Sequence, residues 1–257
     1  MNLIQNTSSF SKIKPEYQKL LKVLQGKVDK RFGADLCAYY LLGSVGRGED
    51  KLSISDMDTQ IILRRSITEE DNAWAKELKY EIEPYYPMLY RLDLDFIEEK
   101  EFDNPYAKRL RFIFRTDSVL ICGKDITASF SSLAPGLELA ILLNRNYRQS
   151  LDNAHKYIFE PDEADRHNPK NMMVWVRWIA KKTLRLCLGI VMVDEPFYTR
   201  LMEEMAIKFY DNYPSYQPQV LKTLHQYHNP ANDANEALIF LTSLSTTIYQ
   251  IADDKLG

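Results

Sequence analysis

The chain has 257 residues, 45% of them hydrophobic and 27% charged, which is enough apolar material for one large or two small cores under an ordinary polar surface. A net charge of −3 argues against a strongly basic nucleic-acid binder. No stretch approaches the roughly 18 uninterrupted apolar residues of a membrane span, and no basic segment followed by an apolar run opens the chain, so neither membrane nor signal peptide is expected and the cytoplasm is the expected location.

In chain order, Pro15 opens a helix in which Tyr17, Leu20, Leu21, Leu24 and Val28 recur at helical spacing, with Gly33 as its stop. LCAYYLL (Leu36 to Leu42) reads as a short buried strand. Gly43 to Ser55, rich in Gly, Ser and charge, reads as a loop, and DMDTQIIL (Asp56 to Leu63) as a second strand. Thr68 is an N-cap residue with Glu69, Glu70 and Asp71 in the first turn of the next helix, which Pro84 and Pro87 end. YRLDLDFI (Tyr90 to Ile97) alternates as a third strand. FIFRTDSVLICG (Phe112 to Gly123) reads either as a helix end or as a short strand before a turn at Gly123.

After about Pro135 only helical signals remain: Leu137 to Tyr157, Lys170 to Met192, Tyr198 to Tyr210, Gln217 to His228 and Asn232 to Asp254. The expected architecture is α+β, a mixed-sheet domain over residues 1–134 followed by an all-helical domain over 135–257. Cys37, Cys122 and Cys187 match no zinc spacing and are expected as separate thiols.

The chemistry-bearing residues cluster in the first half. Asp56 and Asp58 lie two apart on a predicted strand, hence on one face, while Met57, Thr59 and Ile61 point to the other. On the third strand Leu92, Leu94 and Phe96 take the apolar face and leave Asp93 and Asp95 opposite. If these strands are neighbours, three or four carboxylates converge. Two unit charges about 4 Å apart repel by roughly 1 kcal/mol in water and about 4 at a protein surface, so such a cluster calls for a cation. Oxygen-only ligands favour Mg2+ or Mn2+ over zinc. Just upstream, Gly43, Ser44, Gly46 and Gly48 form a turn in which backbone N–H groups and the Ser44 hydroxyl suit phosphate oxygens.

The combination of strand, GS loop with Arg47 and Gly48, strand starting DxD, helix, and strand with a further Asp resembles the nucleotidyltransferase superfamily of DNA polymerase β, the poly(A) polymerases and the aminoglycoside adenylyltransferases. The motif resemblance spans about Leu36 to Ile97, with a spacer from Gly43 to Asp56 about one residue longer than in many minimal members. The order of an α/β domain and a helical domain is similar to the antibiotic-modifying members. The resemblance implies that Gly43, Ser44 and Arg47 bind the nucleotide, that Asp56, Asp58 and a third carboxylate are catalytic and hold two Mg2+ ions, and that AMP passes from ATP to a small-molecule hydroxyl. Asp93 fits the third position better than Asp95, which stays open. Transfer to tRNA or protein, and a nucleotide-binding module without catalysis, are the alternatives. A homodimer is an open possibility, since some relatives complete their sites across one.

In the helical half, Arg177, Lys181 and Arg185 recur every four residues as one basic stripe, with Trp178 beside it, and are read as partners of the nucleotide phosphates. Glu138 is a candidate base for the acceptor hydroxyl by the same resemblance. His225 and His228 stand at i, i+3 without further zinc ligands nearby.

Overall fold

A computed structural model describes residues 3–51, 55–161 and 169–257. The chain divides into two units, Ile4–Leu133 and Ala134–Gly257, the second also taking in Leu3. The first is α+β and the second all-helical. Among the described residues no helix is long and apolar enough to cross a membrane.

The first unit opens with α1 (Pro15–Phe32), whose Tyr17, Leu20, Leu21, Leu24 and Val28 are all buried and whose end is marked by Gly33 at φ 48°. β1 (Leu36–Leu42) follows, buried at every position. It lies inside the sheet, between β2 (Met57–Leu63) and β4 (Ser118–Gly123), antiparallel to both. β3 (Leu92–Glu98) completes the order β3-β2-β1-β4 and runs parallel to β2. Parallel neighbours need a crossover, and α3 (Glu69–Ile82) supplies it. Thr68 caps α3 reciprocally: its hydroxyl accepts from Asp71 N–H while the Asp71 carboxylate accepts from Thr68 N–H.

The two sheet faces bury different sets. Tyr39, Leu41, Met57, Ile61, Leu92 and Leu94 pack with α1 and α3. Tyr40, Leu42, Ile62 and Ile97 pack with Phe114 of α4 (Lys108–Asp117). The segment Phe112 to Gly123 is therefore both of the alternatives read from its sequence, helix to Asp117 and strand from Ser118. The glycine-rich stretch after β1, expected as loop, contains one helical turn, α2 (Ser44–Arg47).

In the second unit α5 (Leu137–Asn144) and α6 (Tyr147–Phe159) replace one expected helix. The break is at Asn144, whose side-chain amide donates to the Ala140 carbonyl and packs directly over Gly189. Gly189 belongs to α7 (Pro169–Asp194), the central helix, against which α5, α6, α8 (Met202–Asn212), α9 (Gln217–His228) and α11 (Ile248–Leu256) pack. The expected helix Asn232 to Asp254 is also split, into α10 (Ala234–Ser245) and α11. Around that break Ser245 and Thr246 hydroxyls donate to the Thr242 carbonyl and Thr247 to the Ser243 carbonyl, drawing off acceptors that a continuous helix would use. α8 starts four residues later than expected; Thr199, which accepts from Leu201 N–H and donates to Glu204, holds the preceding turn.

Candidate active site

The crossover that makes β2 and β3 parallel also brings their first residues to the same end of the sheet. Asp58 and Asp93 are register partners, as are Met57 and Leu92. Period two puts Asp58, Gln60 and Ile62 on one face, and Asp93, Asp95 and Ile97 on the same face of β3. Farther along, Ile62 and Ile97 are buried with α4. At the strand starts that face carries half-buried carboxylates instead. Asp56, just ahead of β2, joins them: Asp56, Asp58 and Asp93 each offer a carboxylate oxygen within 4.8 Å of the other two. This is the one such cluster of His, Cys, Asp or Glu among the described residues, and His225 and His228 belong to none. Asp95 is exposed beside Gln60, its register partner, whose amide donates to it at 3.3 Å.

Two cationic side chains face the triad. Arg91, the residue before β3, donates to Asp93 Oδ2 through Nε at 3.0 Å and Nη2 at 2.7 Å, and the same Nη2 reaches Asp56 Oδ2 at 3.3 Å. Lys79 of α3 holds the other oxygen, Oδ1, of Asp93 at 3.3 Å. Burial works against the Arg91 charge, but the carboxylates of Asp56 and then Asp93 outweigh it and raise its pKa. Neither cation is singled out by the sequence reading. The signal for Arg91 is its i, i+2 spacing to Asp93; Lys79 gives none, because only the α3–β3 packing brings it near.

The GS turn lies against the same carboxylates. Leu42, the last residue of β1, pairs with Asp58, so Gly43 emerges beside it. Gly43 adopts φ 80°, and a Cβ there would stand 3.0 Å from Asp58 Oδ2. Only glycine lets the backbone pass this close in that conformation. The turn closes at Gly48, also left-handed at φ 72°, where a Cβ would meet the Lys12 carbonyl at 2.8 Å.

Buried ion pairs brace this turn. Arg47 donates to Asp117 Oδ1 at 2.5 Å and to Glu49 Oε2 at 2.6 Å, with 12% of its side chain exposed. Burial again opposes the charge, and Asp117 and Glu49 together outweigh it, so the Arg47 pKa is raised. Ser8 adds a bond to the same Asp117 oxygen. Beyond Gly48, the buried Asp50 carboxylate takes Lys14 Nζ at 2.8 Å and so ties the segment to the start of α1. Burial, then the Asp50 charge, pushes the neighbouring Tyr17 hydroxyl up to about 12. Asp50 and Asp117 are further residues that sequence reasoning missed; the partner of Arg47 lies 70 residues away.

The remaining candidates lie in the helical unit. Arg177 is half-buried and donates through Nε to the Tyr227 carbonyl at 3.1 Å, near the end of α9. Lys181 is half-buried and Arg185 exposed on the same helix. Trp178 stands edge-on to Trp175, which stacks on Tyr157, and Lys182 Nζ lies 5.3 Å from the Trp178 ring centre. Glu138 is exposed in the first turn of α5. Cys37, Cys122 and Cys187 form no disulfide.

No protein-family model matches the chain, and no curated protein matches it by sequence. Among solved structures it is similar to spectinomycin adenyltransferase AAD(9) from Enterococcus faecialis, solved with ATP and spectinomycin. The match has a TM-score of 0.53 at 12% identity and covers 92% of this chain and 98% of that one. Its mixed four-stranded sheet and following helical unit agree with that likeness, and the chain has the fold of the nucleotidyltransferases.

Proposed function

We propose that the protein transfers a nucleoside monophosphate, AMP from ATP, to a hydroxyl of a small molecule and releases pyrophosphate. The observation that carries this reading is the convergence of Asp56, Asp58 and Asp93 beside Gly43, at the shared starting end of two parallel strands. The solved neighbour, an adenyltransferase holding ATP and an antibiotic, supports it.

The triad fits a divalent cation. Its donors are all carboxylate oxygens within 4.8 Å of one another, the hard-ligand set that suits Mg2+ or Mn2+. Asp56, Asp58 and Asp93 would hold the metal, two ions in this reading, which supplies charge neutralisation for a triphosphate and a lowered pKa for the attacking hydroxyl. Gly43 and Ser44 hold phosphate oxygens against the turn, and the Arg47–Asp117 pair keeps that turn in shape. In the transfer, the acceptor oxygen forms a bond to the α-phosphorus, the bond to the bridging oxygen of pyrophosphate breaks, and the hydroxyl proton leaves to solvent or a base. Positioning and fixed charge provide most of the rate in such a reaction.

The test is α-labelled ATP with Mg2+ and a panel of hydroxylated small molecules, spectinomycin among them, followed by product separation. The expected result is a labelled small molecule with equimolar pyrophosphate, lost in Asp58→Asn. Label on tRNA or protein would change the acceptor class, and magnesium-dependent ATP binding without transfer to any acceptor would favour a binding module. Undiminished transfer by Asp58→Asn would overturn the assignment.

A further inference from the structure

One nitrogen of Arg91 bridges a carboxylate of β3 and one from the residue just ahead of β2, reaching Asp93 Oδ2 at 2.7 Å and Asp56 Oδ2 at 3.3 Å. A cation placed between these two oxygens does electrostatically what a divalent ion would do there. The guanidinium is permanently charged, and its side chain is 52% exposed, so it has room to leave. Asp93 is not abandoned when it does, because Lys79 holds the other oxygen.

We propose that Arg91 is an internal cation that gathers Asp56 and Asp93 before metal binds, yields them to a divalent ion, and moves its charge onto the incoming triphosphate. The inference rests on the nucleotidyltransferase reading and extends it to the order of assembly. A divalent ion arriving alone must displace Arg91 into water, against the attraction of two carboxylates. An ion arriving with a triphosphate offers the guanidinium a new anionic partner. Metal and nucleotide are therefore coupled through Arg91, and by linkage each tightens the other by the same factor. Firm metal binding is thereby made to wait for the substrate.

The experiment measures Mn2+ binding to the full chain by the electron paramagnetic resonance of free Mn2+, with and without α,β-methylene-ATP, the Mn2+ held by the analogue alone being measured without protein and subtracted. Wild type is expected to bind Mn2+ weakly alone and more tightly with the analogue. Arg91→Met should bind Mn2+ alone about tenfold more tightly, within the range of coupled sites, and the enhancement by nucleotide should shrink by a similar factor. Arg91→Lys, which keeps the charge but loses the planar fork, should fall between them. Circular dichroism checks the fold, and Arg91→Lys decides alone if Arg91→Met does not fold. Unchanged or weaker Mn2+ binding, or an undiminished nucleotide enhancement, overturns the proposal. The two readings separate at Asp58→Asn: Mn2+ binding that needs Asp58 but ignores Arg91 removes only the role of Arg91. Binding absent from wild type even with the analogue, or indifferent to Asp58, removes the nucleotidyltransferase reading with it.

Discussion

Gly43 and Asp58 approach so closely that a methyl group on the glycine would stand 3.0 Å from the Asp58 Oδ2 atom. The glycine also holds φ 80° and ψ −154°, a combination that side-chain-bearing residues avoid. Gly43→Ala is expected to cost about 1–3 kcal/mol, seen as a fall of several degrees in Tm. Activity should fall further than stability does, because the added methyl pushes on Asp58, one of the carboxylates proposed to hold the metal. Calorimetry and pyrophosphate release on the same preparation check both halves; a variant with lower Tm and unchanged turnover would contradict the second.

Asp93 and Asp95 share a face of β3, yet only Asp93 is in register with Asp58. Asp93→Asn should lower turnover by at least about a hundredfold, the scale seen when one electrostatic partner of a transition state is removed. Asp95→Asn should retain most of the activity, since Asp95 faces Gln60. Equal losses in the two variants would show that the register argument picks the wrong carboxylate. The comparison needs only initial rates at saturating ATP and Mg2+.

The Arg47–Asp117 pair is nearly withdrawn from solvent, with side chains 12% and 10% exposed. Removing one member takes from the other its shortest ionic contact, leaving Arg47 with the more exposed Glu49 or Asp117 without its guanidinium. Asp117→Asn is expected to cost on the order of 2–4 kcal/mol, and Arg47→Met a similar amount. The double variant should recover part of the loss, because neither charge of the pair is then left without the other. Urea unfolding of the four proteins measures the cycle, and strictly additive losses would mean that the pair is not coupled.

Asp71 should contribute to the acid sensitivity of the fold. Hydrogen bonds from Arg65 hold its carboxyl down at about 2, against the ordinary 3.8, while burial pulls the other way and the Thr68 cap adds to the lowering. A carboxyl with a depressed folded-state pKa stabilises above its unfolded value and loses that contribution as pH falls through the folded one. The contribution is on the order of 2 kcal/mol, complete above about pH 5 and fading toward pH 2. Urea midpoints of wild type and Asp71→Asn should therefore differ at pH 6 and converge near pH 2. A gap that stays constant across this range would exclude the linkage.

Features written in short range were legible without coordinates. The Thr68 cap needs only a spacing of three, and the shared face of Asp56 and Asp58 follows from a period of two. The even burial of Leu36 to Leu42 follows from an unbroken apolar run, and with the alternating strands and later helical periodicity it made the α+β class readable. Local reading failed where side chains compete with the backbone. Asn144 and the Ser245–Thr247 run break helices whose apolar periodicity continues across them.

The tertiary structure decided what depends on neighbours distant along the chain. That β3 lies beside β2 and parallel to it comes from the α3 crossover, and this alone places Asp93 against Asp58 and Asp95 against Gln60. Asp117 meets Arg47 only because β4 pairs with β1 and brings the end of α4 to the turn. Lys79 and Arg91 are ordinary surface residues in the sequence and become the counter-charges of the triad in the fold. The physical reason is range: dihedral preference and periodicity act over a few residues, whereas charge acts through space, and only the folded chain says which charges share it.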